Sequence, residues 1–325
     1  LIANYFNKLS NNKFPKKKLI FGNLIEKLRY GENPHQESAI YSYNNNIKQL
    51  NGKQLSYNNY NDMLTALSIS KSLPKNTGTV IIKHSNPCGV SINKDKLKSY
   101  KLALSCDPVS AFGGIVSCNF KINKKLAIEL NKIFLEVIIG NGIEKDALKI
   151  LRKRKNLRII DASNLKLQSL QNFISNFNSI LIQSSDVKPF IAKNFKVVSK
   201  NKPNKKTLNN LIFAFNVCRF VKSNAIVLVK DDTTVGIGSG QPSRLDSCEI
   251  AIKKMNQFQN VKNNSEIIAA SDAFFPFTDG IETLVQAGVT AVIQPSGSIK
   301  DKEIIKFANQ TGTILVFSKT RHFRH

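Results

Sequence analysis

The chain holds 325 residues, 42% of them hydrophobic, with a formal charge of +26 and five cysteines. That length supports one large core or two medium ones. The odd, widely spaced cysteines (Cys88, Cys106, Cys118, Cys218 and Cys248) exclude a disulfide framework and point to a reducing cytoplasm, and no apolar run is long enough to cross a bilayer.

In chain order, residues 1–20 read as a short helical piece (Ile2, Tyr5, Phe6, Leu9) running into Phe14-Pro15, the tail of an upstream domain. Helical periodicity over Asn61–Leu73 then leads to an apolar strand, Thr79–Ile82. A turn over Lys83–Gly89 returns into strand Val90–Ile92. Helix Lys96–Ser105, strand Gly114–Ser117, helix Lys124–Phe134, strand Glu136–Ile139, helix Lys145–Arg152 and strand Leu157–Ile160 follow. A polar, Asn- and Lys-rich stretch, Asp161–Lys206, reads as a connection. The same order then recurs: helix Thr207–Lys222, strand Asn224–Val229, a turn at Asp231-Asp232 and strand Thr234–Ile237. Helix Ser243–Phe258, strand Glu266–Ala270, helix Asp279–Ala287, strand Val289–Ile293, helix Lys302–Gln310 and strand Thr313–Phe317 complete it. Such alternation predicts an α/β fold with much parallel pairing, and the repetition predicts a duplication. The expected units are 1–20, 21–200 and 201–325.

The charge is mostly lysine, spread along the chain beside Asn and Ile. Arg29, Arg152, Arg154, Arg158, Arg219, Arg244, Arg321 and Arg324 form no stripe with stacking aromatics, which argues against base readout. Arg152, Arg154 and Arg158 read as a solvated helix end. A basic surface still attracts phosphates and polyglutamates.

Polar residues at strand ends are the candidates for chemistry. The strand through Ile82 delivers Lys83 and His84 to a turn, a proton acceptor beside a cation. Zinc deaminases carry His-x-Glu and Pro-Cys-x-x-Cys; here Asn86 stands in place of the acid, and no second thiol follows Cys88 at that spacing, so zinc is not expected. In Ser110-Ala111-Phe112-Gly113-Gly114 the glycines allow close backbone approach, and Phe112 offers a face to a flat ring. Gly236-Ile237-Gly238-Ser239-Gly240-Gln241 does not fit the dinucleotide fingerprint but runs into a helix start bearing Arg244, suited to an anion or oxyanion. Phe274, Phe275 and Phe277 around Pro276 suit a wall for a planar heterocycle, with Asp279 free for ring nitrogens; Phe277 is expected in the core. Arg29-Tyr30-Gly31 and Arg321-His322-Phe323 each put arginine beside an aromatic.

Taken together, Arg29-Tyr30-Gly31-Glu32-Asn33-Pro34-His35-Gln36, Lys83-His84-Ser85-Asn86-Pro87-Cys88-Gly89, Ser110–Gly114, Gly236–Arg244, Ser271–Phe277 and Arg321–His325 resemble the transformylase part of the bifunctional purine-biosynthesis family, over nearly all of residues 20–325. The other part of that family is inosine monophosphate cyclohydrolase, which the resemblance places outside this chain. The resemblance implies two duplicated cytidine-deaminase-like α/β/α domains joined by a polar linker, without zinc; a structural potassium ion is left open. It implies a homodimer with active sites shared between subunits. The implied reaction moves a formyl group from the co-substrate 10-formyl-tetrahydrofolate to the amine of an aminoimidazole carboxamide ribotide (AICAR).

Carried over residue by residue, His84 becomes the proton acceptor, Lys83 the stabiliser of developing charge, and Asn224 the holder of the carboxamide or formyl oxygen. Arg29, Tyr30, Gly113, Glu136, Arg244, Asp279 and Arg321 match positions that hold the ribotide. Phe112, Leu245, Phe274, Pro276, Ser298 and Ile299 are the expected folate contacts. Glu136 stands where some relatives have aspartate, and Gly280 where asparagine can stand. The competing readings are a basic nucleic-acid-binding module and a zinc-dependent deaminase-like hydrolase.

Overall fold

The computed structural model describes residues 13–42, 47–165, 171–187, 192–259 and 265–325, so the helical reading of residues 1–12 lies outside the described residues. A first hairpin, β1 (Asn23–Leu28) with β2 (Ser38–Ser42), stands apart from the main sheet. Strand β3 (Lys48–Asn51) precedes helix α1 (Tyr57–Ser72). Ser56 starts that helix with a reciprocal cap: its hydroxyl accepts from Asn59 N, and Asn59 Oδ1 accepts from Ser56 N. The helix then buries Met63, Ala66, Leu67 and Ile69 along one face.

The first half continues through β4 (Gly78–Lys83), β5 (Asn86–Ile92), α2 (Lys96–Cys106), β6 (Ile115–Cys118), α3 (Lys124–Leu130), β7 (Val137–Gly140), α4 (Lys145–Leu151) and β8 (Arg158–Asp161). A separate hairpin, β9 (Gln171–Asn176) with β10 (Ser179–Ser184), and the edge strand β11 (Phe195–Val197) come next. The second half is α5 (Lys205–Cys218), β12 (Ile226–Lys230), β13 (Thr233–Gly238), α6 (Arg244–Phe258), β14 (Ile267–Ser271), α7 (Asp279–Gln286), β15 (Val289–Pro295), α8 (Asp301–Thr311) and β16 (Ile314–Ser318).

Twelve strands form one mixed sheet in the order β11-β16-β15-β14-β12-β13-β5-β4-β6-β7-β8-β3. Read outward from its middle, each half runs hairpin, three further strands and a short antiparallel edge. The β6–β7–β8 and β14–β15–β16 pairings are parallel, and the two hairpins are antiparallel. The halves meet where β13 runs antiparallel to β5, with Thr233 opposite Ser91, Val90 N donating to Thr234 Oγ1 at 2.9 Å and Ile92 N to Asp232 O at 3.0 Å.

Successive strand residues point to opposite faces, and the core divides accordingly. On one face Val80, Ile82, Val227 and Val229 pack with Met63, Leu67, Leu211 and Phe215 in one cluster common to both halves. On the other face Ile81 and Val116 pack with Tyr100 and Leu126, while Ile226 and Leu228 pack separately with Cys248 and Ala251. Each fully buried aliphatic side chain contributes about 1.5–3 kcal/mol. Helices lie very close to two strand glycines: a Cβ on Gly89 would sit 1.9 Å from Ala103 O, and one on Gly238 1.9 Å from Ser247 O.

Two expectations are corrected. The stretch Asp161–Lys206 is not a plain connection, because it carries the β9–β10 hairpin and β11. Helix α3 ends at Leu130 instead of Phe134: Phe134 leaves the helix and its ring stands against Phe112, centroids 5.4 Å apart.

Candidate active site

Strand β4 carries Lys83 to the sheet edge, where His84 and Ser85 make the whole of the turn into β5. The reading of Lys83–Gly89 as a long turn is therefore corrected; Lys83 already pairs with Asn86. Both turn residues are left-handed, with φ of +52° and +59°, a region that non-glycine residues visit rarely. Lys83 Nζ donates to Phe112 O at 2.7 Å, and the His84 side chain is exposed at the tip. Since β13 runs antiparallel to β5, its glycine-rich end emerges beside this turn. Lys83, His84, Ser239, Gln241, Asp107 and Lys254 line a shared cavity of about 430 Å³. Two contacts fasten the halves around it: Lys222 N donates to Asn86 Oδ1 at 3.0 Å, and Lys254 Nζ meets Asp107 Oδ2 at 2.7 Å. Burial pushes Asp107 up, but hydrogen bonds from Lys254 and Ser110 prevail and hold it below its ordinary value.

Further expected residues follow from Lys83 in a chain of contacts. Gly113, at φ +75°, donates its N–H to Phe134 O, and Glu136 N donates to Gly114 O. Glu136 Oε2 accepts from Arg158 Nη1 at 2.8 Å and from Asn59 Nδ2 at 3.5 Å. Neighbouring Asn58 donates to Glu32 O, which seats the loop where Arg29 lies 5.5 Å from the Tyr30 ring. Lys83, His84, Phe112, Gly113, Glu136, Arg29 and Tyr30 are thus linked around one end of the first half.

The remaining residues gather elsewhere. Asn224, Arg244, Leu245, Phe274, Pro276, Asp279 and Arg321 line a second cavity, of about 460 Å³. Arg244 opens α6 but turns inward and is only 8% exposed. Its Nη1 donates to Ser271 Oγ at 2.8 Å and to the fully buried Asp272 carboxylate, and its Nη2 to Asn224 Oδ1 at 2.7 Å. The Asn224 amide in turn donates to Gln241 O at 2.9 Å and Pro242 O at 2.8 Å, so that side chain is held from both ends. Arg321 stacks on Phe323 at 4.5 Å. Phe274, Phe275 and Phe277 all line this cavity, as the wall reading expects, but Phe275 is the buried ring, and Phe277, expected in the core, is 61% exposed. Gly280 leaves room for the Phe275 ring: a Cβ there would fall 2.7 Å from it. Ser298 and Ile299 are on the turn after β15, outside that cavity's lining; Ile299 is 99% exposed, and Asp301 accepts from Gly297 N and Ser298 N.

Arg152, Arg154 and Arg158 are not a solvated helix end. They bond Leu50 O, the carbonyls of Ile133 and Asn131, and Glu136 with Gln54 O, respectively. The sequence reading also missed Asp62, Arg158, Asp272 and the Asp107–Lys254 pair. Asp272 sits inside a quoted motif and was legible there as an acid beside Ser271; the others are joined to the site by contacts that no local pattern announces. Among the described residues no group of three or more His, Cys, Asp or Glu is placed to hold a metal ion, and no helix is long and apolar enough to cross a membrane.

Fold and site define an α/β protein with a twice-repeated element order and two polar-lined cavities, one built around a lysine–histidine pair and the other around phenylalanines and arginines. The chain belongs to the AICARFT/IMPCHase bienzyme family, whose pattern it matches over residues 1–254. It is 41% identical over 343 residues to the bifunctional purine biosynthesis protein PurH of Rhodospirillum rubrum, with 100% of this chain and 64% of that protein covered. The PurH proteins of Brucella anthropi (43% over 339 residues) and Leptospira biflexa (41% over 334) match all of this chain and 63% of their own length. The chain thus spans just under two thirds of these relatives. The comparisons give no support to a nucleic-acid-binding module.

Proposed function

We propose that this chain transfers the formyl group of 10-formyl-tetrahydrofolate to the 5-amino group of AICAR, releasing tetrahydrofolate. The observation that carries the reading is the Lys83–His84 pair: an exposed imidazole at the tip of a two-residue turn, beside an ammonium anchored on Phe112 O. The substrate amine is a weak nucleophile, because its lone pair spreads into the imidazole and the carboxamide. His84 removes the amine proton during attack, and Lys83 stands by the oxyanion that forms on the formyl carbon, so both charges are met where they develop. Asn224, fixed by Arg244 and two carbonyls, holds the carboxamide or formyl oxygen. The phenylalanine cavity suits the folate ring, with Leu245, Phe274 and Pro276 as its wall and Phe112, Ser298 and Ile299 as outlying contacts. Arg29, Tyr30, Gly113, Glu136, Arg244, Asp279 and Arg321 hold the ribotide.

The two clusters surround different cavities of one protomer. A homodimer that brings the first cluster of one protomer to the second cluster of its partner completes two equivalent sites, and this is the assembly we propose. The longer protein of which this family's relatives are examples also carries inosine monophosphate cyclohydrolase activity in this reading, on residues outside this chain.

The test is a spectrophotometric assay of tetrahydrofolate release with and without ribotide. Ribotide-dependent release, lowered roughly 10²- to 10⁴-fold in His84→Ala, is expected. Release that His84→Ala leaves unchanged would overturn the assignment, and no release from a folded dimer would overturn the reaction.

A further inference from the structure

The His84–Ser85 turn has a counterpart within the same chain. In the second half the turn from β12 to β13 is again two residues, Asp231 and Asp232, again left-handed at φ of +47° and +56°. Each turn is gripped by the sixth residue of the helix that opens its half. In α5 that residue is Asn210, whose Oδ1 accepts from Asp232 N at 2.8 Å. In α1 it is Asp62, whose carboxylate takes three donors: Ser85 N at 2.7 Å, Ser85 Oγ at 3.1 Å and His84 N at 3.2 Å. One device thus occurs twice. The copy under the lysine–histidine pair is enlarged from one hydrogen bond to three, and an ionised acceptor roughly doubles the strength of each bond. Among the described residues Asp62 hydrogen-bonds backbone N–H groups and Ser85 Oγ, and it is absent from the lining of the cavity beside His84.

We infer that Asp62 is a positioning residue for His84. It holds two left-handed residues so that the imidazole stays over the cavity and Lys83 stays on Phe112 O. This rests on the reaction proposed above and assigns the chain's own device for presenting its base. The mechanism is geometric: a base displaced by an ångström loses proton transfer at a cost of about 10²-fold, whereas ligand contacts made by other residues are untouched.

Asp62→Ala should therefore lower kcat for formyl transfer roughly 10- to 100-fold, with KM for the formyl donor changed less than about twofold. Asp62→Asn, which copies the grip of the second half, should fall between it and wild type. Asn210→Ala, which loosens the turn without the histidine, should leave kcat unchanged and so controls for a general loss of stability. Glycine adopts left-handed backbone without steric cost, so adding Ser85→Gly to Asp62→Ala should restore part of the lost kcat. Hydrogen exchange in the peptide spanning residues 80–90 supplies a readout independent of turnover, and it should speed up in Asp62→Ala. A wild-type kcat in Asp62→Ala overturns the inference, as does a loss matched by Asn210→Ala or unmoved by Ser85→Gly. If wild type itself transfers no formyl group the proposed reaction fails, and unchanged exchange in Asp62→Ala then sinks the grip on its own.

Discussion

Asp272→Asn tests how the second cavity is built. The Asp272 carboxylate is fully buried, accepts from Arg244 Nη1 and from Ser223 Oγ at 2.5 Å, and lines neither cavity. Removing its charge leaves the buried Arg244 guanidinium without a counter-ion, a cost of about 3–5 kcal/mol. With an unfolding entropy of about 2.1 cal/mol/K per residue, 325 residues give roughly 0.7 kcal/mol/K, so the melting temperature should drop about 4–7 °C. Arg244 also orients Asn224, so kcat should fall as well. The double variant Asp272→Leu/Arg244→Met separates these effects. Replacing a buried pair by apolar volume is often close to neutral for stability. Its melting temperature should therefore recover most of the loss while kcat stays low, because Asn224 Oδ1 has lost its donor. Calorimetry and the tetrahydrofolate-release assay read the two quantities on the same samples. A single variant that melts like wild type, or a double variant no more stable than the single one, would refute the orphaned-charge reasoning.

Three further outcomes follow from the same structure. Asp107 is held below its ordinary pKa of 3.8 in the folded chain, so its contribution is present above pH about 4 and is lost as pH falls through the lower folded value; Asp107→Asn should flatten that part of the stability–pH curve, measured by denaturant melts from pH 5 downward. All five cysteines are buried, and burial first, then Asp107 and Cys106, pushes Cys88 up to about 12; an aromatic disulfide reagent at pH 8 should find no fast-reacting thiol in the native chain and five after denaturation. Gly89→Ala puts a Cβ within 1.9 Å of a backbone carbonyl that belongs to α2, so helix and strand must separate; a loss above about 3 kcal/mol, far beyond the roughly 1 kcal/mol typical of substitutions, should appear in denaturant melts.

Much of the fold was legible because its strands and helices are long enough to show a period. Val80, Ile81 and Ile82 alternate between the two faces, and α5 buries Leu211, Ala214, Phe215 and Cys218 at helical spacing. Strands β3 and β11 were missed because neither holds the apolar run that marks the similarly short β6, β7 and β8. Their pairing is decided by the neighbours β8 and β16, more than a hundred residues away in each case. The site residues were legible as types at strand ends, but not their grouping. No sequence spacing tells that Arg244 faces Asp272 instead of solvent, that Arg158 serves Glu136, or that Phe275 is buried against Gly280 while Phe277 is exposed.

The repeat also shows how the lysine–histidine hairpin differs from its counterpart. Each turn abuts the exit of the other half's inner strand, and the two exits differ. Strand β5 leaves into Asn93, whose N–H donates to Thr77 O and whose Oδ1 accepts from Asp95 N, so the chain closes at once onto the cap of α2. Strand β13 leaves through Gly238 and Gly240, the latter at φ +69° with its N–H on Lys222 O, which swings Ser239 and Gln241 beside His84 and lets Asn224 reach the Gln241 carbonyl. The lysines diverge likewise: Lys83 leans on a backbone carbonyl beside the cavity, whereas Lys230 is taken by Ser265 Oγ. Asp231, in the place of His84, is paired with Lys206. A shared scaffold therefore supplies the turn and its grip at both positions. Glycines at one exit and a histidine at one tip give the first of them a cavity with an exposed imidazole on its lining.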